Sequence, residues 1–236
     1  MKNLILTVLV TLAGMLFSLA KTNDLNTDPL NKLNSGHEET AVLIIPDTLR
    51  APDEVFIGYL RKNWDDIHDV IMRYHCDDPA LKGMVMINMN WVQGKLASAE
   101  VSENTTGDTT FGVALISAMK QWDIPGLESG WSSTLPIKTT IKGSDDPDFD
   151  QYGILTGKVT DADGQAVPGA TIVLHASGND GKQDITTYTN REGIYILTLI
   201  PPGTWQVQCS KQGVETVTTG NITVQKGEHI KKYISM

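Results

Sequence analysis

The stretch MVMINMNW at residues 84–91 decides the fold of the first half of this chain. Every second side chain from Val85 to Trp91 is large and apolar, and this period of two predicts a β-strand with one buried face. Gln93-Gly94 supplies turn residues, and LASAEVSE at 96–103 then alternates small apolar residues with polar ones. The two runs therefore predict an antiparallel hairpin whose buried face leaves room for a helix.

The length of the turn decides which residues of the two strands face each other. A two-residue turn would set Glu100 opposite Ile87 on the buried face, where a carboxylate is costly. A three-residue loop with a glycine bulge at Gly94 would instead place Val101 opposite Ile87, and pair odd positions with odd positions throughout. We therefore expect the three-residue loop.

Helices are predicted on either side of the hairpin. Residues 52–74 begin with a proline and two acids, carry an apolar stripe and end before Asp77-Asp78-Pro79. A second helix, capped by Asp108, has apolar residues at three- and four-residue spacing through 111–122. Residues 132–142 alternate weakly, as a third strand would. The prediction for 52–142 is an α+β domain made of helix, β-hairpin, helix and strand.

Residues 53–142 resemble the TonB C-terminal domain family, the periplasmic end of envelope energy transducers. The motifs that carry the resemblance are Pro79-x-Leu81-x-Gly83, x-Gly94-x-Leu96, Thr106-Gly107-Asp108, Ala114-x-x-x-Ala118-x-x-x-Trp122 and Trp122-x-Ile124-Pro125. One branch of the family has a cysteine on each helix, where this chain has Val70 and Ala114, so that disulfide is not expected. The resemblance implies binding of a partner strand or receptor peptide at an exposed sheet edge.

The third strand is the predicted partner site. Its threonines are polar and strand-prone, and Pro136 cannot donate a backbone hydrogen bond, which suits an edge strand. Thr139 in particular is expected to present a donor at that edge. The predicted partner-binding residues are Ser133, Thr134, Ile137, Thr139, Thr140 and Ile141.

The first 20 residues read as a secretory signal peptide, with Lys2, an apolar run and the small-residue sequence SLA at 18–20. Cleavage after Ala20 would place the protein in the periplasm or cell envelope. The alternative is an uncleaved membrane anchor, since such a run can just span a bilayer. Residues 21–51 read as a polar linker, in which AVLII at 41–45 is suited to a short added strand.

The second half of the chain changes to short strands separated by turns. Residues 143–151 are acidic and read as a linker between domains. Four acids there could bind calcium, but the ligand spacing of a known calcium loop is missing. Residues 152–236 predict an all-β sandwich. The motifs are Leu155-x-Gly157-x-Val159, DADG at 161–164, VPGATI at 167–172, TNREGIY at 189–195 and IPPGTW at 200–205.

These motifs are similar to the carboxypeptidase regulatory-like domain, a seven-stranded transthyretin-like or prealbumin-like sandwich. Within it, Tyr195, Leu197 and Leu199 are predicted to share one strand face, as are Trp205 and the two apolar positions after it. The resemblance implies an accessory module of envelope proteins and receptors, with no catalytic residues.

The composition bounds the chemistry. With 236 residues, 40% of them hydrophobic, and a net charge of −9, the chain is globular and unsuited to binding nucleic acid. No histidine begins a His-x-x-Glu motif, and His68 and His75 lack a third metal ligand, so both are expected in solvent. No cofactor or metal is therefore expected. Cys76 and Cys209 are either a disulfide or two free thiols.

Two functions follow from these observations. The first is a non-enzymatic envelope protein that binds its partner by strand addition, with the β-sandwich as an accessory domain. The alternative is a carbohydrate- or surface-binding module that uses the sandwich loops. Core packing accounts for the tryptophans except Trp131, which is predicted to lie in a polar turn.

Overall fold

The computed structural model describes residues 51–177 and 184–236. Within them the chain divides into two compact units between Ile141 and Lys142. The predicted signal peptide, linker and added strand at 41–45 lie outside the described residues. In the part of the chain that is described, no helix is long and apolar enough to cross a membrane.

The first unit has the predicted order of helix, hairpin, helix and strand. Its elements are α1 Ala51–Lys62, α2 Trp64–Asp77, β1 Gly83–Val92, β2 Lys95–Asn104, α3 Thr109–Met119 and β3 Trp131–Thr139. The three strands are antiparallel and lie in the order β2-β1-β3. The α+β prediction for this part of the chain is confirmed.

The predicted first helix is in fact two helices. Asn63 has φ −112° and ψ 23°, outside the helical region, and separates α1 from α2. Its side-chain Nδ2 donates to the carbonyl of Tyr59 at 2.9 Å. The single helix predicted from 52 to 74 is therefore wrong at this residue, since an asparagine side chain competes for the backbone there.

The middle of the hairpin has the predicted register but reaches it by another route. Ile87 pairs with Val101, as expected. Only Gln93 and Gly94 join the strands, and both have positive φ, 51° and 75°, as a type I′ turn requires. The shift of one residue comes from a bulge at Ala97 in β2. The predicted three-residue loop is therefore wrong. A second bulge, at Ser102, places Val85 opposite Asn104, so the predicted pairing of odd with odd positions does not hold there.

The helices pack on one face of the sheet. The strand residues in this core are Val85, Ile87, Met89, Trp91, Trp131, Leu135 and Ile137. Gly112 of α3 lies so close to the sheet that a Cβ there would be 2.6 Å from Cγ2 of Val101. The Asp108 side chain caps α3, accepting from the backbone N–H of Thr110 at 2.7 Å and of Phe111 at 3.2 Å. The predicted cap is confirmed.

Trp131 belongs to the core, so its predicted place in a polar turn is wrong. It is the first residue of β3, pairs with Trp91 and is 4% exposed. Its ring lies 4.7 Å from that of Phe56 in α1, and its Nε1 donates to Oδ1 of buried Asp53 at 2.8 Å. These contacts fix the first turn of α1 against the start of β3.

The second unit consists of two sheets. Its strands are β4 Gly153–Thr160, β5 Thr171–Ala176, β6 Ile185–Tyr188, β7 Ile194–Ile200, β8 Gly203–Lys211, β9 Val214–Val224, β10 His229–Lys231 and β11 Ile234–Ser235. One sheet has the order β6-β5-β8-β9, and in the other β7, β10 and β11 all pair with β4. Apolar side chains of both sheets form one core. A short 3-10 helix, Phe149–Gln151, lies within the predicted acidic linker.

The last two strands, β10 and β11, are one strand with an interruption. Both run parallel to β4 in the same register, with His229 beside Ile154 and Ile234 beside Val159. Between them the chain passes over Gly157, where any Cβ would collide with the Lys232 carbonyl. Counting β10 and β11 together gives the seven strands that the family resemblance implied.

The predicted common face of β7 is only partly right. Tyr195 and Leu197 lie in the core, whereas Leu199 has φ 55° and is only partly buried. The left-handed residue shifts the alternation by one position, so that Ile200 is buried instead. On β8 the predicted face is confirmed, with Trp205, Val207 and Cys209 all in the core.

Candidate functional site

The candidate site is the outer edge of β3. Among the described strands, β3 pairs only with β1. The backbone N–H of Thr105 donates to the Met84 carbonyl at 2.8 Å, so the backbone of Met84 faces β2. Because backbone groups alternate along a strand, Val85 and the odd positions of β1 face β3 and pair with odd positions there, such as Ile137. The even positions of β3 therefore face outward.

Three backbone N–H groups point away from β1 at this edge. They belong to Ser132, Thr134 and Lys138, and the fourth even position is Pro136, which has no donor. A proline is tolerated here because its nitrogen faces away from the ladder. The outer edge of β3 therefore offers donors at both ends, a gap between them and carbonyl acceptors along its length.

The six predicted site residues do not all lie at the outer edge of β3. Of these, Thr134 is the one within β3 whose backbone faces outward. Ser133, Ile137 and Thr139 face β1, while Thr140 and Ile141 follow the end of the strand. Thr139, expected to give an edge donor, pairs instead with Gly83 and is fully buried. Sequence reasoning missed Ser132 and Lys138, although the position of Pro136 already indicated which parity faces outward.

His75, in α2, contacts the last residue of β3 and is buried, so its predicted exposure to solvent is wrong. Its ring is fully buried, and its Nε2 lies 2.7 Å from the Thr139 hydroxyl. Burial lowers the pKa of His75 to about 4, while Asp78 raises that pKa and His68 lowers it further. His75 Nδ1 is buried without a hydrogen-bond partner. No group of three metal-binding side chains occurs in the described ranges.

The face of the sheet opposite the helices carries polar side chains. The Thr134 hydroxyl donates to Asn88 Oδ1 at 2.7 Å, and Asn88 Nδ2 donates to Glu100 Oε1 at 3.3 Å. In the next row, Ser132 donates to Asn90 Oδ1 at 3.3 Å. The Thr134 and Ser132 bonds join β3 to β1 through side chains, and the Asn88–Glu100 bond joins β1 to β2.

The second unit has a polar row on the outer face of the β5–β8–β9 sheet. His175, Gln206 and Asn221 lie side by side on neighbouring strands. His175 Nε2 is 3.0 Å from Gln208 Oε1 and its Nδ1 is 2.9 Å from Asp184 Oδ2. The hydrogen bond to Gln208, followed by the one to Asp184, raises the pKa of His175. The row is neutral or positive at its histidine and rich in amides.

Cys76 and Cys209 do not form a disulfide and both are buried, which decides between the alternatives left open by the sequence. Burial raises the pKa of the Cys209 thiol to about 11, so the thiolate is scarce at neutral pH. Its Sγ lies 3.4 Å from the sulfur of Met236. Both thiols therefore contribute to packing.

Residues 154–234 match the family model of the carboxypeptidase regulatory-like domain. The second unit is therefore a domain of that class, as the sequence motifs predicted. The match covers about a third of the chain. No curated protein sequence matches the chain.

Solved structures show distant similarity. A protein of proposed carbohydrate-binding function from Bacteroides uniformis is 17% identical, with 35% of this chain and 40% of that chain covered and a TM-score of 0.30. A second such protein, from Pseudomonas aeruginosa, is 16% identical, with coverages of 36% and 89% and a TM-score of 0.28. The 3-chlorocatechol 1,2-dioxygenase of Rhodococcus opacus is 12% identical, with coverages of 38% and 60% and a TM-score of 0.30. Values this low assign no function to this chain.

Proposed function

We propose that this chain is an exported, non-enzymatic protein of the cell envelope that binds a partner strand at the outer edge of β3. The observation that carries the proposal is the sheet order β2-β1-β3, which leaves the backbone of Ser132, Thr134 and Lys138 facing away from the ladder. An added strand gains its affinity from main-chain hydrogen bonds to such groups. The carboxypeptidase regulatory-like domain is the accessory module.

The partner is an extended peptide of an envelope protein or outer-membrane receptor. The resemblance of 53–142 to the TonB C-terminal domain supports this choice, as does the placement of all three helices on the face opposite the polar rows. At Pro136 a partner strand can donate a hydrogen bond to the Pro136 carbonyl, but Pro136 has no N–H group to donate to the partner. A bound strand is therefore held on both sides of Pro136, by the N–H groups of Ser132 and Thr134 and by that of Lys138.

The edge is tested by substitutions that differ only in the backbone donor. Thr134→Pro removes an outward N–H, whereas Thr134→Val keeps that N–H and loses the hydroxyl bonded to Asn88. A photo-crosslinking residue at Lys138 in growing cells identifies the partner segment by mass spectrometry. A synthetic peptide of that segment is then titrated against the purified full chain.

Thr134→Pro should weaken binding of that peptide at least fivefold, since one main-chain hydrogen bond contributes about 1 kcal/mol. Thr134→Val should bind about as well as the unmodified chain. Native circular dichroism of both variants is the control for folding. Equal affinities of all three proteins would rule out recognition by the edge backbone.

Export is tested separately from binding. If the signal peptide is cleaved after Ala20, mass spectrometry of the native protein should show a chain that begins at Lys21. A chain that retains Met1 would indicate the membrane anchor instead, with the β3 edge held at the outer surface of that membrane.

Carbohydrate binding by the second unit is the second candidate function. The observation in its favour is the row of His175, Gln206 and Asn221, in which the side-chain amides of Gln206 and Asn221 suit sugar hydroxyls. The row lies on strands, not in the loops predicted from sequence. Affinity electrophoresis in gels containing xylan, mannan or laminarin tests it. Retardation by one of these that is lost in Gln206→Ala would support it, and unchanged mobility in all three would exclude these glycans.

A further inference from the structure

We propose that Pro136 determines the specificity of the β3 edge, because it hinders pairing with a second copy of this chain more than pairing with a partner peptide. A free sheet edge carries the hazard of self-pairing, since two copies offer each other the same open backbone groups. The hindrance to self-pairing is a property of the strand itself. The selectivity in favour of a partner peptide rests on the proposed function.

Apart from its proline, β3 is a regular edge strand. It pairs with β1 over all nine of its residues, from Trp131 with Trp91 to Thr139 with Gly83, without a register shift. A straight strand of this kind is a template on which another chain can pair. Without Pro136, its outward donors would be continuous from Ser132 to Lys138.

Two other edge strands, β2 and β9, are interrupted by irregularities of the ladder. In β2 there are bulges at Ala97 and Ser102. In β9 the register shifts twice where that strand pairs with β8. Bulges bend an edge and leave residues unpaired, which discourages pairing with another sheet. Since the ladder of β3 has no such shift, Pro136 is the feature that interrupts this edge.

Two copies that pair through β3 bring two prolines into one interface. In an antiparallel, twofold-symmetric arrangement that covers the edge, Ser132 of each copy lies opposite Lys138 of the other, and Thr134 lies opposite Pro136. Pro136 of each copy then has no N–H group for the Thr134 carbonyl that faces it, and its ring carbon Cδ stands in the place of that hydrogen. Self-pairing therefore lacks a donor in both copies.

A partner peptide lacks only one donor, because it pairs with a single copy of β3 and brings its own backbone N–H groups. One main-chain hydrogen bond changes an affinity about fivefold. The proline should therefore weaken a peptide complex about fivefold and a pair of identical edges about 25-fold. This difference is the proposed selectivity.

Pro136→Val restores the missing donor in both kinds of complex. Pro136 is buried, and valine keeps an apolar, strand-prone side chain there. Sedimentation velocity of the full chain over a concentration series should show a self-association constant about 25-fold higher in Pro136→Val than in the unmodified chain. Pro125→Val, in an exposed turn, is the matched control and should leave that constant unchanged. Equal constants for Pro136→Val and the unmodified chain would overturn the proposal.

A double variant shows whether the gain comes from the donors of the β3 edge. Thr134→Pro added to Pro136→Val moves the missing donor to the neighbouring outward position and again leaves one proline in each edge. Self-association of the double variant should return to the level of the unmodified chain. A double variant that associates as strongly as Pro136→Val would contradict pairing through β3.

Hydrogen exchange locates the contact between copies. In Pro136→Val the outward Thr134 and Lys138 amides should exchange more slowly as the protein concentration rises, whereas the Leu135 and Ile137 amides, which face β1, should not respond. If circular dichroism shows that Pro136→Val does not fold, Pro136→Ala restores the same donor and takes its place. Outward amides that ignore the protein concentration in the folded variant would contradict the proposal.

A peptide titration separates this proposal from the proposed function. The synthetic peptide of the crosslinked segment, measured where each chain is monomeric, should bind Pro136→Val about fivefold more tightly than the unmodified chain. If self-association rises about 25-fold but the peptide binds neither chain, only the proposed function fails. If peptide binding rises as much as self-association, Pro136 does not discriminate between the two and the proposal is overturned.

Discussion

His75 should make the stability of the first unit depend on pH. Its pKa falls from 6.5 to about 4 in the folded chain, mainly because burial deprives the protonated, charged ring of solvation by water. The folded state thus stays neutral where the unfolded state takes up a proton. Stability is complete above pH 6.5 and decreases as the pH falls toward 4.

The size of the effect follows from the two pKa values. A tenfold difference in proton affinity corresponds to about 1.4 kcal/mol, so a change from 6.5 to about 4 amounts to about 3 kcal/mol. Carboxylates also titrate toward the lower end of this window. A variant that lacks only the imidazole is therefore needed to isolate the contribution of His75.

Urea unfolding at pH 7.5, 6.5, 5.5 and 4.5 measures this contribution. The signal is tryptophan fluorescence, since four of the five tryptophans belong to the first unit. His75→Gln removes the titrating group and keeps an amide near the Thr139 hydroxyl. The unmodified chain should lose about 2 kcal/mol more than His75→Gln between pH 6.5 and 4.5.

Parallel pH profiles for the two proteins would refute this reasoning. If His75→Gln does not fold, an NMR titration of the His75 ring in the unmodified chain replaces it. A ring that protonates near pH 6.5 in the folded state would then show that burial does not control its pKa.

Two further predictions concern packing in the first unit. Trp131→Phe should lower the free energy of unfolding in urea by about 1.5–3 kcal/mol, because it removes the hydrogen-bond donor to buried Asp53. Trp122→Phe should lower it less, because its acceptor Asp66 is only partly buried. Equal losses would mean that burial of the acceptor does not matter. Gly112→Ala should cost about 1–3 kcal/mol because its Cβ would lie 2.6 Å from Val101 Cγ2, and adding Val101→Ala should recover part of that loss; an additive double variant would contradict the close contact.

Some features of this protein were predictable because they depend on neighbouring residues. The period of two in 84–91 predicts β1, and Asp108 caps α3 through groups only two and three residues away. The turn glycines of the second half and their order were sufficient to indicate its class of domain. Sequence also indicated that a carboxylate at Glu100 would not face Ile87.

How the hairpin reaches that register could not be predicted from the sequence. A turn of only Gln93 and Gly94 is compatible with it because β2 takes up the extra residue in a bulge at Ala97. A bulge and a longer loop shift the register equally, so the hydrophobic pattern cannot distinguish them. In the same way, Pro136 indicated an edge strand, but the sheet order was needed to show that Ser132, Thr134 and Lys138 face outward.

The burial of polar groups was decided by tertiary structure alone. His75 meets Thr139 across 64 residues, and Trp131 meets Asp53 across 78. Neither pair can be recognised from the spacing of apolar residues, because its two members lie far apart in the sequence. Burial becomes favourable only when the fold supplies the hydrogen-bonding partner, and that partner comes from a distant element. The ends of β3 are therefore determined by contacts that the sequence does not display.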